Sequence, residues 1–223
     1  MKKLTALALA VLMLLSFAAC TKYDGKSKKD TTPDEAASTA TTTTAPSDEV
    51  VDPTGLCRGK VSDNVYTSSY TGISFTADST WTFFSEPELA SAAGVTENDI
   101  TNKNMMATIK SNNGMYDVFA NKINKDKILE ATFIVSYINA EEDSVKDMPL
   151  EQYVDLTAEA YGIDVATAKT ENVTYGGRTF CRITSETAEK NTLVAACRMD
   201  KVIVTISASA SASNGVNIFD LIK

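Results

Sequence analysis

Histidine is absent from the 223-residue chain, and its absence excludes several kinds of active site. Without imidazole there is no Ser–His or Cys–His nucleophile pair, no histidine general base and no histidine ligand for a metal ion. The chain also lacks the glycine spacing of phosphate-binding loops and the serine motifs of hydrolases. We therefore identify no catalytic residue, expect no metal or other cofactor, and predict that the protein is not an enzyme.

Basic residues are outnumbered, with 21 Lys and Arg against 29 Asp and Glu. Nucleic-acid binding needs basic surfaces, so nucleic acid is not an expected partner. Carboxylates are the only abundant acid–base groups. The densest run, at residues 141–143, lacks the regular ligand spacing of a calcium loop, and a solvated acidic turn is the preferred interpretation.

Long apolar runs are also scarce, and the longest occupies residues 4–17. It follows two lysines and precedes Ala18-Ala19-Cys20, which is typical of a signal peptide (residues 1–19) ending in a lipobox. The run is shorter than the roughly 20 residues of a membrane span. We expect a fatty acid such as palmitate on Cys20 and an extracytoplasmic location on the cell membrane, or on the outer membrane of a two-membrane cell. The other interpretation is a plain signal, cleaved or retained, in which Cys20 is incidental.

The segment after the signal is poor in apolar residues. Residues 20–55 consist mainly of Thr, Ser, Ala and acidic residues, with Tyr23 as their only aromatic. Such a composition cannot bury enough apolar surface to offset the entropy of ordering the chain. We interpret it as a disordered tether, which would hold the following domain about 30 Å from Cys20 on average. Residues 56–223 are long enough for one folded domain.

The pattern of that domain predicts an α+β fold. Predicted strands cover residues 70–75, 81–84, 115–120, 131–138, 168–175, 179–185, 193–199 and 201–209, with the first two joined as a hairpin. A helix is predicted from a Ser85–Glu88 capping box to Gly94, and a second begins at Pro149. The strand at 131–138 has apolar residues at both odd and even positions, and therefore on both of its faces, which predicts a sheet covered on both faces.

These landmarks resemble the PsbP-like fold of extrinsic photosystem proteins, Mog-type proteins and many small bacterial lipoproteins. The resemblance rests on Tyr70-x-Gly72-Ile73-Ser74-Phe75 followed by Trp81, the helix from Glu86, the helix opened by Pro149 and the Gly176-Gly177-Arg178 hairpin. It implies an antiparallel sheet flanked by helices on both faces, an α/β/α sandwich, with non-catalytic accessory or binding roles. The metal-binding histidines discussed for plant members have no counterpart here.

Asp117 stands alone among apolar residues in the predicted strand 115–120. Strand alternation would place it on the same face as Met115 and Phe119. It is a candidate polar group in a ligand pocket. The preferred interpretation is a hydrogen bond or ion pair within the sheet, with Lys122 or Arg178 as the partner.

Three cysteines follow Cys20, so at most one internal disulfide can form. If the strands of Cys181 and Cys197 pair around Glu189, the two cysteines face each other and a cross-strand bridge is possible. A two-residue shift places Cys181 opposite Ala195 and abolishes the bridge. Buried free thiols are the other interpretation.

Three functions are compatible with the sequence. The leading one is a non-catalytic module that binds or scaffolds an unknown envelope protein. The second is a receptor for a small solute, which would require an apolar cavity with a few polar groups. The third is a carboxylate-dependent hydrolase, which would require two facing acids in one cleft.

Overall fold

The structure is a computed structural model and describes residues 55–223. The predicted signal peptide (residues 1–19), the predicted lipidation site Cys20 and all but the last residue of the predicted tether lie outside the described residues. Within residues 55–223, no helix is long and apolar enough to cross a membrane.

Two antiparallel sheets form the framework of the described domain. The larger has seven strands in the order β4-β5-β6-β10-β9-β8-β7, and the smaller has the order β1-β2-β3. The strands are β1 (Lys60–Ser62), β2 (Val65–Thr67), β3 (Ser74–Thr76), β4 (Trp81–Phe83), β5 (Gly114–Ile123), β6 (Leu129–Asn139), β7 (Lys169–Tyr175), β8 (Arg178–Glu186), β9 (Lys190–Met199) and β10 (Val202–Ser211).

Three α-helices accompany the sheets in this part of the chain: α1 (Glu86–Ala93), α2 (Met105–Asn112) and α3 (Leu150–Ala160). The predicted start of α1 is confirmed, because the Glu88 carboxylate accepts the Ser85 N–H at 2.7 Å. Its predicted end is confirmed by Gly94, which has the left-handed φ of 70°. The predicted mixed α+β class is therefore correct.

The seven-stranded sheet separates two apolar cores. On one face, α3 packs Val154 and Ala158 against β8, β9 and Ile203 of β10. On the other face, the small sheet packs Tyr66 and Phe75 against Phe133 of β6, with the rings of Phe75 and Phe133 stacked at 3.9 Å. The prediction that β6 is covered on both faces is confirmed.

The predicted first hairpin is wrong. β3 pairs with β2, and β4 pairs with β5 of the larger sheet, so residues 77–80 carry the chain from one sheet to the other. The two segments are nevertheless in contact, since the rings of Phe75 and Trp81 meet edge to face with their centroids 5.0 Å apart. Apolar alternation indicated that both segments are buried, but two three-residue strands carried too little information to specify their partners.

The register of β8 and β9 does not allow the possible bridge between Cys181 and Cys197, which leaves the buried free thiols of the other interpretation. Cys181 lies opposite Ala196, one residue away from the register that would allow the bridge, and both cysteines are free thiols. Because side chains alternate, Cys181 belongs to the α3 core and Cys197 to the opposite core. Burial raises the pKa of both thiols and keeps them protonated.

Candidate functional site

A cleft of about 360 Å³ opens where the C-terminal end of α1 approaches the turn between α2 and β5. Its floor is formed by β5 and β6, on the face of the sheet that carries α3. The lining consists of small or uncharged residues, namely Ala92, Ala93, Gly94, Asn112, Asn113, Gly114, Met115, Tyr116, Ser136 and Ile138. We define these ten residues as the α1–β5 cleft.

The space in the cleft exists because its walls are backbone and small side chains. α1 stops at Gly94, and the Val95 N–H turns back to the Ala90 carbonyl at 2.9 Å. On the opposite wall, a Cβ on Gly114 would lie 2.9 Å from Ile138 Cδ1 and 3.0 Å from the Tyr137 carbonyl oxygen. A larger residue at position 114 would therefore require the end of the Ile138 side chain to move and would crowd the Tyr137 carbonyl at the rim of the cleft.

The polar groups of the floor are hydroxyls. Tyr116 and Ser136 are cross-strand partners and are almost fully buried. Burial raises the pKa of Tyr116 above its ordinary value, so its hydroxyl stays neutral and can donate or accept a hydrogen bond. With no charged lining residue, the α1–β5 cleft is suited to an uncharged, mainly apolar group that makes one or two hydrogen bonds.

A third hydroxyl, that of Tyr161, lies near Tyr116. The Tyr161 side chain, just after α3, approaches Tyr116 closely enough to contribute to the raised pKa of Tyr116. Among residues 55–223 its buried oxygen forms no hydrogen bond of normal geometry, although Ser207 is near enough to lower its pKa against the larger effect of burial. Tyr161 does not line the α1–β5 cleft, and its hydroxyl is a buried polar group without a well-formed partner among the described residues.

No sequence motif marks this site, and its wall and floor residues come from segments that are far apart in the chain. Comparison with models of known protein families gave no match, and comparison with curated proteins gave none. Two sequence features could have pointed to the floor: a polar Ser136 inside an otherwise apolar strand, and Gly114 at a strand start. Function must therefore be inferred from the geometry of this chain.

Asp117 does not line the α1–β5 cleft, although Tyr116 beside it does. A β-bulge between Tyr116 and Val118 interrupts the alternation, so Met115 and Phe119 face opposite sides of the sheet. The predicted shared face of Met115, Asp117 and Phe119 is therefore wrong. The Asp117 side chain points away from the cleft, into the core beneath the small sheet.

The preferred interpretation of Asp117, a buried hydrogen-bonding group, is confirmed, but its predicted ionic partners are wrong. Its carboxylate accepts hydrogen bonds from the hydroxyls of Tyr66 (2.5 Å) and Tyr137 (2.7 Å) and from the Gly59 N–H (2.9 Å). Arg58 Nε lies 3.8 Å from it and forms the ion pair expected from Lys122 or Arg178. Arg58 also donates to the Asp117 carbonyl at 3.1 Å, so this network fastens the N-terminal segment to β5.

A second cleft lies at the opposite end of the sheet and brings two acids together. Glu130 and Glu189 line it with Lys190 and the last residues of β10, and its volume is also about 360 Å³. Glu189 and Lys190 are exposed to solvent. A glycosidase needs one carboxyl held protonated by a dry environment, which this open, lysine-containing cleft does not supply.

Proposed function

We propose that this protein is a membrane-anchored extracytoplasmic lipoprotein whose domain binds a small, mainly apolar ligand without catalysis. The lipobox ending in Cys20 supports the anchor. The α1–β5 cleft supports ligand binding, because it is apolar, uncharged and bordered by buried hydroxyls. The proposal includes the resemblance to the PsbP-like α/β/α sandwich, in which helices flank both faces of the sheet.

The α1–β5 cleft is the observation that favours a solute receptor over a pure scaffold. Ligand pockets are concave, mostly apolar and about 300–1,000 Å³ in volume, with few polar groups that fix orientation. The cleft meets each criterion and has Tyr116 and Ser136 as its orienting groups. A scaffold for an envelope protein would need no such concavity. The small-ligand function is therefore favoured over the scaffolding function that the sequence placed first.

Filling the cleft is expected to abolish binding of a neutral apolar probe. N-phenyl-1-naphthylamine should bind the mature protein with increased fluorescence, and Ala93→Phe should weaken its affinity at least about tenfold, since a ring would occupy the space of the ligand. Ser91→Phe is the matched control, because Ser91 lies on the same helix but is exposed and outside the lining. Equal titration curves for Ala93→Phe and the parent would refute the proposal.

The anchor is tested separately in cells. The Cys20→Ser variant is expected to lose incorporation of a labelled palmitate analogue and to leave the membrane fraction, because the cysteine sulfur carries the lipid. Replacing Cys57, a free thiol inside the folded domain, with serine is the matched control and should leave labelling unchanged. Labelling that persists in the Cys20→Ser variant would contradict the anchor.

A further inference from the structure

The turn between β5 and β6 concentrates the exposed aliphatic surface of the described domain. The large hydrophobic side chains that are exposed in residues 55–223 are Val61, Ile123, Ile128 and Leu129, and the last three lie in this one turn. Ile128 is the most exposed, at 60 %. We define residues 122–129 as the β5–β6 tip. Exposed aliphatic residues that cluster in one turn indicate a contact surface.

The tip is held in shape by hydrogen bonds to the side chain and backbone of Asn124. The Asn124 side chain accepts the N–H groups of Asp126 (2.9 Å) and Ile128 (3.0 Å), and the Asn124 N–H donates to the Ile128 carbonyl at 3.0 Å. Ile123 and Leu129 are cross-strand partners, so their side chains share one face. The aliphatic groups are thus presented by an ordered turn and need little further ordering to bind.

The charge of the tip is opposite to that of the domain as a whole. Residues 55–223 contain 15 Lys and Arg and 22 Asp and Glu, a net charge of −7. The tip contains three lysines and one aspartate, a net charge of +2. Lys125 and Lys127 are exposed, while Lys122 is largely buried beside Asp78. Lysines next to exposed aliphatic residues favour an anionic lipid surface, into which the aliphatic groups insert while the lysines stay among the headgroups.

We propose that the β5–β6 tip is a second membrane contact, which inserts Ile123, Ile128 and Leu129 into the headgroup region of anionic lipids. A protein partner fits less well, because a stable protein interface buries about 800 Å² on each side and this tip offers three aliphatic side chains. The biological role of the contact rests on the proposed anchor. An anchor within reach of the tether raises the effective concentration of lipid at the tip, so a weak contact suffices to orient the domain.

The contact is tested with the mature chain carrying Cys20→Ser, so that no lipid anchor contributes and failure of the anchor proposal does not affect the result. Cosedimentation with phosphatidylcholine vesicles, with and without phosphatidylglycerol, should show binding that requires the anionic lipid. The double variants I128S/L129S and K125E/K127E should each weaken binding about tenfold. The lysines at residues 22–29 are present in every variant and contribute equally.

Matched controls separate the tip from general surface effects. Val61→Ser removes a similarly exposed aliphatic side chain on β1, and Lys103→Glu reverses an exposed charge far from the tip in sequence; both should bind like the parent. I128W should be quenched by brominated lipid, whereas the buried Trp81 of the parent should not. Parental binding by both tip variants, or an unquenched I128W, would overturn the proposal. Loss of self-association in sedimentation velocity without loss of vesicle binding would assign the tip to a second copy and also overturn it.

Discussion

Replacing Asp117 with alanine is expected to lower the free energy of unfolding by about 3–5 kcal/mol. Asp117 is 2 % exposed, and removal of its carboxylate would leave the hydroxyls of Tyr66 and Tyr137 and the Gly59 N–H without their acceptor. Each buried donor left unpaired is unfavourable by about 1–3 kcal/mol, and Arg58 would lose its counter-charge. Because small domains are stable by only about 5–15 kcal/mol, this is a large fraction of the total.

The measurement is urea unfolding followed by the fluorescence of Trp81, the only tryptophan in the chain and a buried one. Asp117→Asn keeps the size of the side chain and one acceptor oxygen, so its free energy of unfolding should be lower than the parent's by about 1–3 kcal/mol. Asp147→Ala removes an exposed carboxylate and should stay within about 0.5 kcal/mol of the parent. A loss below about 1 kcal/mol for Asp117→Ala would show that the network does not stabilise the fold.

The same comparison has an expected pH dependence. Burial raises the pKa of Asp117, and the hydrogen bonds from Tyr66, Tyr137 and Gly59 with the Arg58 charge oppose this only in part. A raised pKa in the folded state favours the protonated form there. Its contribution to stability is complete below the ordinary Asp pKa of about 3.9 and is lost as pH rises through the folded pKa. The stability advantage of the parent over Asp117→Asn should therefore shrink with rising pH; an advantage that grows would show that the charged form is favoured.

Structural features that depend on a few neighbouring residues could be predicted from the sequence. The Ser85–Glu88 capping box begins α1, Pro149 immediately precedes α3, and Gly176-Gly177 forms the two-residue turn between β7 and β8. Each signal works through atoms within four residues of one another, so no knowledge of distant segments is needed. The mixed α+β class followed from these signals together with the apolar alternation of the predicted strands.

Pairings between distant segments could not be predicted. The bulge beside Asp117 reverses the face of every later residue in β5, and a one-residue change of register moves Cys181 and Cys197 to opposite cores. Helix α2 was not predicted. Met105, Thr108 and Ile109 form a buried stripe along it, but eight residues show only two turns of the helical pattern, which is too little to recognise.

The α1–β5 cleft also could not be predicted, because the segments that form it are far apart in the sequence. Its walls are Ala92 to Gly94 and Gly114, and they are close only because α1 and the start of β5 meet in the folded chain. Small residues are common in sequences and have no signature of a pocket until their positions are known. Arg58, the actual ionic partner of Asp117, could likewise not be predicted, since the two residues are 59 positions apart in the sequence.

A backbone contact at the far edge of the sheet leads to the other large expected effect. Gly72, between β2 and β3, lies directly against Gly176 in the β7–β8 turn, and both have positive φ, at 75° and 55°. A Cβ on Gly72 would lie 2.4 Å from the Gly176 carbonyl oxygen, and one on Gly176 would lie 2.3 Å from the Gly72 carbonyl carbon. The obstructing atoms are backbone, so no side-chain rotation can relieve the collision. Arg178 donates to the Tyr70 carbonyl at 3.3 Å beside this contact and holds the same two segments together.

Gly72→Ala and Gly176→Ala are each expected to lower the free energy of unfolding by about 2–5 kcal/mol, from overpacking together with the left-handed backbone. Gly177→Ala is the matched control, since it lies in the same turn with φ of 76° but a Cβ there would meet nothing within 4 Å. Gly177→Ala should lower the free energy of unfolding by only about 1–2 kcal/mol, which is the effect of the left-handed backbone alone. Urea unfolding of the three variants provides the measurement, and equal losses at positions 176 and 177 would show that the two glycine backbones do not need to touch.

The double variant Gly72→Ala/Gly176→Ala distinguishes a shared contact from two independent turns. If the two segments must move apart to admit either methyl group, most of the separation occurs once, and the second methyl enters space that is already open. The double variant should then lose less stability than the sum of the single losses, with a coupling of at least about 1 kcal/mol. Strict additivity would mean that each alanine is tolerated or rejected by its own turn. Sub-additivity would show that the small sheet and the β7–β8 hairpin are joined through these two glycines.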